Sequence, residues 1–144
     1  HGDARTPNMI YRLDENGQLR VACEIDLDTI MPNRLLDIGD SLRSASNVVG
    51  MIPESLDDVR IDEEVMHALM DGFLSGLRTD DTLTKQHLLN AMKLYSLNLI
   101  AEHCADTAIG NRYYAVKPDQ RPDIGIFKAE VQMRALELTE ELSV

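Results

Sequence analysis

One long segment rich in apolar residues, 82–109, dominates the hydrophobic pattern of the chain. It contains no glycine or proline, and its apolar side chains cover most of the circumference of a helix. A helix that is apolar nearly all round is buried by neighbours on several sides, so we predict that this segment is the central helix of a helical domain. Lys93, Glu102 and Asp106 interrupt it, whereas a membrane span needs about 20 consecutive apolar residues.

Residues 9–25 alternate between apolar and polar side chains around an Asp-Glu-Asn-Gly turn, which predicts a β-hairpin. A two-residue loop at Asn16-Gly17 would place apolar and polar side chains on the same face of the hairpin. A three-residue loop that ends at a left-handed Gly17 keeps one face apolar. Because an isolated hairpin is marginally stable, we expect that face to lie on the helices. The cross-strand pairs predicted by this register are Leu13–Leu19, Tyr11–Val21 and Met9–Cys23.

Three further segments carry the helical period, residues 32–49, 62–77 and 123–142. Pro32 suits a first helical position and Asp62 suits an N-cap. Gly72 and Gly76 share one face of the second of these helices, where we expect a neighbouring helix to approach closely. The side chains assigned to buried faces are Leu35, Ile38, Leu42, Ala45 and Val49, then Val65, Leu69, Met70, Phe73, Leu74 and Leu77, and finally Phe127, Val131, Ala135, Leu138 and Leu142.

Together these elements predict a mainly α fold: a four-helix bundle-like domain with an N-terminal β-hairpin packed on it. The length of 144 residues fits a single domain, 1–144, with its helical core in residues 32–142. Residues 1–8 are expected to be disordered or derived from expression, because the chain opens on His1 and a methionine follows at Met9.

Charge excludes some classes of partner. The chain has 25 acidic and 14 basic residues, a formal net charge of −11. Such a balance argues against nucleic acid or an anionic membrane as a partner. Two cysteines, Cys23 and Cys104, are too few for a disulfide scaffold, and their apolar surroundings predict buried thiols in a reducing cytoplasm. Whether the two cysteines are bridged stays open.

Metal and catalytic motifs are weak. Glu64 and His67 have a Glu-x-x-His spacing, but carboxylate-bridged metal bundles need two copies and this chain has one. A metal protein or helical-bundle enzyme that uses His67 with Glu64 or Cys104 is therefore the alternative, not the favoured function. No cofactor and no catalytic residue are predicted. A triad assembled from distant segments would leave no local motif, so an enzyme is less favoured without being eliminated.

The most site-like segment combines two tyrosines with three basic residues in an otherwise acidic chain: Arg112, Tyr113, Tyr114, Lys117 and Arg121. Tyrosine and arginine often dominate the binding energy of protein interfaces. The structural alternative is that the tyrosines pack on the end of the bundle, and a third strand beside the hairpin is one form that such packing can take.

These observations favour a non-catalytic protein–protein interaction module, a small acidic regulator, adaptor or inhibitor-type protein. Its partner is another protein that the sequence does not identify. We also expect a homodimer, because the hairpin needs a cover for its apolar face and a partner for its edges.

Overall fold

The structure, a computed structural model, describes residues 5–26, 33–78 and 81–142. Within these residues, four helices pack together and an antiparallel hairpin precedes them, which confirms the mainly α fold class. Short 3-10 helices lie at Thr6–Asn8 and Leu56–Asp58. The regular elements are β1 (Met9–Leu13), β2 (Leu19–Glu24), α1 (Arg34–Ser46), α2 (Glu63–Ser75), α3 (Lys85–Ala108) and α4 (Ile124–Glu140).

Helix α3 is central, as predicted, and packs most extensively on α1 and α4. A capping box of Thr84 and His87 begins the helix, and a left-handed Gly110 follows its end. Burial on all sides is wrong from the middle of the helix onwards, where Leu94 and Leu97 are exposed. The reason is length: α2 has 13 residues against 24 in α3, and it packs only along the first half.

Two apolar clusters form the core, and both are largely aliphatic. The first joins α1, α2 and the beginning of α3, and the second joins α4 to the connection between α1 and α2. At about 25 cal/mol per Å² of apolar surface, such burial is the main driving force for folding. The buried members are Ile38, Leu42, Met66, Met70, Leu88, Leu89 and Met92 in the first cluster, and Val59, Ile124, Phe127, Val131 and Ala135 in the second.

Two glycines set the distances between α3 and its neighbours. A Cβ atom at Gly39 would lie 2.6 Å from the Ala91 carbonyl oxygen, and one at Gly125 would overlap the Thr107 hydroxyl. The glycines expected to serve this purpose do not, because Gly72 has nothing within 4 Å of its Cβ position and Gly76 faces only its own helix. Close helix packing therefore occurs on α1 and α4 rather than on α2.

Some helix limits differ from the prediction. Pro32 lies outside the described residues, and Asn33 caps α1 by accepting a hydrogen bond from the Leu35 N–H. Helix α1 ends at Ser46 instead of residue 49, because the Asn47 side chain bonds the backbone of the following turn.

In α2, Asp62 is the N-cap, as predicted. Val65 is exposed rather than buried, and the adjacent Met66 enters the core in its place. Four of the other predicted positions are confirmed, since Met70 is buried in the first cluster and Leu69, Phe73 and Leu74 pack against it.

The hairpin has the predicted three-residue loop, with Gly17 left-handed at φ 73°. The Asp14 carboxylate stabilises the loop by accepting hydrogen bonds from the Asn16 and Gln18 N–H groups, both at 2.9 Å. The pairs Leu13–Leu19 and Tyr11–Val21 are confirmed.

The pair Met9–Cys23 is wrong, because Cys23 lies opposite Ile10. The register shifts by one residue between Ile10 and Tyr11, which leaves Ala22 as the extra residue of a β-bulge in β2. The hydrophobic pattern specifies alternation but carries no signal for this inserted residue.

We define the apolar face of the hairpin as Tyr11, Leu13, Leu19 and Val21, which all project from one side. The expectation that helices cover this face is wrong, because all four side chains are exposed. What ties the hairpin to the bundle is the segment before β1. Its 3-10 helix contacts α1, with Asn8 buried. Of the segment expected to be disordered, residues 5–8 are therefore structured, and residues 1–4 lie outside the described residues.

The close approach of α1 to α3 predicts opposite effects of the same substitution at two helix-interior glycines. Gly39→Ala should lower the free energy of unfolding by about 1–3 kcal/mol, because its methyl group has only backbone to displace. Gly72→Ala, which meets open space, should raise it by up to about 1 kcal/mol through helix propensity. Urea titration of both variants measures this. A Gly39→Ala protein as stable as the parent would contradict the packing described here.

Candidate functional site

The predicted interaction segment lies in the connection between α3 and α4, and a buried carboxylate fixes the start of that connection. Asp106 accepts hydrogen bonds from the N–H groups of Tyr113 at 2.7 Å and Tyr114 at 2.9 Å. A left-handed Asn111 turns the chain back so that these groups can reach it. The hydrogen bond from Tyr113, assisted by the one from Tyr114, holds the pKa of Asp106 below its ordinary value.

The two tyrosines occupy different environments. Tyr113 is 81% exposed and its ring meets that of Tyr114 edge-on, with 4.8 Å between the centroids. Tyr114 is half-buried and donates a hydrogen bond to Glu102 Oε2 at 3.1 Å. Burial, together with the charge of Glu102, raises the pKa of Tyr114 to about 12. Tyr114 therefore remains a neutral hydrogen-bond donor at physiological pH.

The three basic residues of the segment are exposed. Arg121 pairs with Asp123 and its guanidinium lies 5.0 Å from the centroid of the Phe127 ring. Arg112 and Lys117 project from the connection. No strand forms in residues 111–123, so the third strand considered as the structural alternative is wrong. The role of these five residues in binding a partner stays a prediction.

A large cleft opens between α1, α3 and the beginning of α4, and Tyr113 and Tyr114 form part of its wall. Its volume is about 940 Å³, and it combines aliphatic, aromatic and charged side chains. The cleft was not predicted from the sequence. The lining residues are Arg5, Leu36, Asp40, Arg43, Met51, Leu94, Tyr95, Asn98, Leu99, Glu102, His103, Tyr113, Tyr114 and Lys128.

A buried ion pair forms one side of the cleft. Arg43 Nε lies 3.0 Å from Asp40 Oδ1, and the two side chains are 8% and 1% exposed. The guanidinium also lies 5.7 Å from the centroid of the Tyr95 ring, within cation–π range. Its Nη1 atom contacts the thioether sulfur of Met51 at 3.6 Å, a weak acceptor.

His103 also lines the cleft, from α3. It is 3% exposed, and its ring centroid lies 4.6 Å from that of Tyr114. Its Nδ1 atom has no hydrogen-bond partner among the described residues. Burial, and then the positive charge of Lys128, lower the pKa of His103. His103 is accordingly a neutral imidazole at neutral pH.

Buried polar side chains also occur outside the lining of the cleft. Gln132 on α4 is fully buried, with its amide nitrogen 2.9 Å from the sulfur of Met51 and its oxygen unpaired among the described residues. Ser96 is also buried on α3. Burying polar groups with incomplete partners costs free energy, and such costs concentrate at functional sites. The sequence signal that could have identified two of these buried polar residues is their spacing. Ser96 and His103 continue the buried stripe of Leu88, Leu89 and Met92 along α3.

The structure does not support the alternative metal site. Glu64 and Cys104 are exposed and His67 is half-buried. Across residues 5–26, 33–78 and 81–142, no three His, Cys, Asp or Glu side chains come together in a group that could hold a metal ion. Cys23 and Cys104 are free and exposed, so the expectation of buried thiols is wrong. Both lie on surfaces that the apolar clusters do not reach.

No known family model matches this sequence. In the part of the chain that the structure describes, no helix has both the length and the apolar character required to cross a membrane.

The burial of neutral His103 predicts a pH dependence of stability. The folded state holds the pKa of His103 below the value of about 6.5 that it has in the unfolded chain. The unfolded chain therefore binds more protons, and stability should fall as the pH is lowered from about 7 towards the folded pKa. His103→Gln should flatten this part of the profile. The urea midpoint, measured between about pH 7.5 and 5, tests this, and an unchanged slope in the variant would contradict it.

Asp106 predicts a second dependence at lower pH. Because its pKa is held below the ordinary value, its contribution is present above the usual aspartate range and is lost as the pH falls through the folded pKa. Asp106→Asn should lower the melting temperature at neutral pH, and the difference from the parent should shrink in acid. Asp119→Asn, an exposed change in the same connection, is the control. Equal melting temperatures for the parent and Asp106→Asn at neutral pH would refute the role of Asp106.

Proposed function

We propose that this protein is a non-catalytic interaction protein, a small acidic regulator, adaptor or inhibitor-type protein, which binds other protein chains through its hairpin and pairs with a second copy of itself. One observation carries the proposal: the described part of the chain leaves the apolar face of the hairpin uncovered. Leu13 and Leu19, which pair across the strands, are 66% and 65% exposed. Contiguous exposed apolar side chains are typical of interaction surfaces.

The backbone geometry of the hairpin also supports the proposal that it is the contact surface. The described sheet consists of β1 and β2 alone, so each strand has an outer edge with no neighbouring strand in the described chain. Such edges bind added strands readily, because their N–H and C=O groups are arranged for pairing. A second hairpin can satisfy an edge and cover an apolar face in one two-fold contact.

The distribution of charge also favours the hairpin as the contact between two acidic copies. Residues 9–25 carry two arginines and three carboxylates, within a chain of net charge −11. Arg20 pairs with Asp14 at 3.0 Å, which further neutralises this surface. Repulsion between two copies is therefore weak where the hairpins meet.

The connection between α3 and α4 is the proposed second contact region. Tyr113 is exposed, and Arg112 and Lys117 project beside it, so the region offers an aromatic anchor together with positive charge. This composition suits an acidic protein surface, whereas the net charge of the chain disfavours nucleic acid. We place the protein in the cytoplasm, since two exposed free thiols suit a reducing compartment.

The oligomeric state tests the proposal. Light scattering should report about twice the chain mass of 16.2 kDa at roughly 100 μM, a concentration that populates even a dimer of micromolar affinity. The double variant Leu13→Ser/Leu19→Ser should be a monomer with the circular dichroism of the parent, because these side chains make no contribution to either core cluster.

Met133→Ser is the matched control, since Met133 is equally apolar and half exposed but lies on α4. It should leave the dimer intact. A monomeric parent, or a double variant that dimerises as well as the parent does, would refute the hairpin as the contact.

A further inference from the structure

We propose that the cleft between α1, α3 and the beginning of α4 binds a small uncharged phenol, a molecule that carries a hydroxyl group on an aromatic ring. The proposal is independent of the hairpin contact, which lies on a different part of the chain. It rests on the size of the cleft, the aliphatic and aromatic surface of its walls, and a buried imidazole in its lining that has an unpaired nitrogen.

The size of the cleft fits a small organic molecule. Ligand sites typically occupy about 300–1,000 Å³ and combine mainly apolar walls with a few convergent polar groups. The cleft has a volume of about 940 Å³. Leu36, Leu94 and Leu99 supply aliphatic surface to its walls. Leu94 is 57% exposed although α3 packs on two helices, so the cleft keeps apolar surface that a ligand can cover.

The rings in the lining favour an aromatic ligand. Tyr95, His103 and Tyr114 all line the cleft. The rings of His103 and Tyr114 already pack on each other, with 4.6 Å between their centroids and a tilt of 49° between their planes. Aromatic rings attract one another in such tilted or offset arrangements beyond the effect of buried area alone. A flat ring in the cleft can extend this pair, whereas an aliphatic ligand supplies apolar area only.

The polar group that such a ligand would contact is the imidazole of His103. Its side chain is 3% exposed, and its Nδ1 atom has no hydrogen-bond partner among the described residues. A polar group that is buried without a partner costs free energy. Because His103 belongs to the lining, a ligand in the cleft lies against this ring and can supply the missing hydrogen bond.

The neutral state of His103 favours a hydroxyl as its partner. The ring is neutral because burial, and then the charge of Lys128, lower the pKa of His103. A neutral imidazole has one donor nitrogen and one acceptor nitrogen, whereas a hydroxyl can both donate and accept. Either tautomer of His103 can therefore bind a hydroxyl. A carboxylate, which only accepts, could bind the donor nitrogen alone.

The charged side chains of the lining do not favour a charged ligand. Two cations and two carboxylates balance each other: Arg43, Lys128, Asp40 and Glu102. Arg5, the fifth charged residue of the lining, is engaged in an interaction of its own. An ionic ligand would lose its hydration on entering the cleft without meeting a surplus of opposite charge, and this loss is costly. An uncharged ligand avoids that cost.

Three probes of similar shape test the proposal, each titrated into the ¹⁵N-labelled full chain at neutral pH. They are para-propylphenol, propylbenzene, which lacks the hydroxyl, and para-propylbenzoate, which has a negative charge in its place. The phenol should bind saturably and shift the amide signals of Asn98, His103 and Lys128, which line the cleft. It should bind about fivefold more tightly than propylbenzene, the equivalent of one net hydrogen bond. The benzoate should bind more weakly than the phenol.

His103→Phe keeps a flat ring in the lining and removes both nitrogens, so it should bind the phenol no more tightly than propylbenzene. His67→Phe is the matched control, because His67 is a half-buried histidine on α2 outside the lining; it should keep the preference of the parent. The three probes decide the matter on the parent chain alone if a variant fails to fold.

The proposal is overturned if para-propylphenol does not bind saturably, or if propylbenzene or para-propylbenzoate binds the parent as tightly. It is also overturned if the shifts are confined to the hairpin, or if folded His103→Phe keeps the preference for the phenol.

Discussion

The fold depends on two places where a helix touches the backbone of α3 through a glycine. Gly39 brings α1 against the Ala91 carbonyl, and Gly125 brings α4 against the turn of α3 that contains Thr107. Asp40 follows Gly39 directly, and Lys128 lies one turn beyond Gly125. The same close contacts that build the bundle therefore bring the charged groups of α1 and α4 to the face of α3 that carries His103. The packing of the helices and the position of the cleft therefore depend on the same two glycine contacts.

Local chemistry made most of the fold predictable. The Asp62 cap, the loop ending at Gly17 and the apolar stripe of α4 are each encoded within a few neighbouring residues, and each was predicted correctly. The errors arose where contacts between distant segments determine which residues are buried. Helix periodicity indicates that Leu94 is apolar but not that α2 is too short to cover it. In the same way, Gly72 and Gly39 look alike in sequence, and only the path of α3 distinguishes them.

The candidate site was predictable only in part, for the same reason. Tyr113 and Tyr114 were identified because they are adjacent in an unusual segment. Arg43 and His103 are 60 positions apart in the chain, and neither has a neighbour that signals a function. What marks them is burial of a polar side chain inside a stripe of apolar ones, which becomes visible when the three helices are assembled. Polar residues that continue a buried helical stripe are the sequence signal for such a cleft.

The bulge at Ala22 has a consequence for the chemistry of the hairpin. Without it, Cys23 would lie beside Met9 on the apolar face; with it, Cys23 pairs with Ile10 on the opposite side, which also carries Arg12 and Arg20. One inserted residue thus places the exposed thiol of Cys23 on the side of the hairpin opposite the apolar face, so that a thiol-directed dye can reach it without contacting that face.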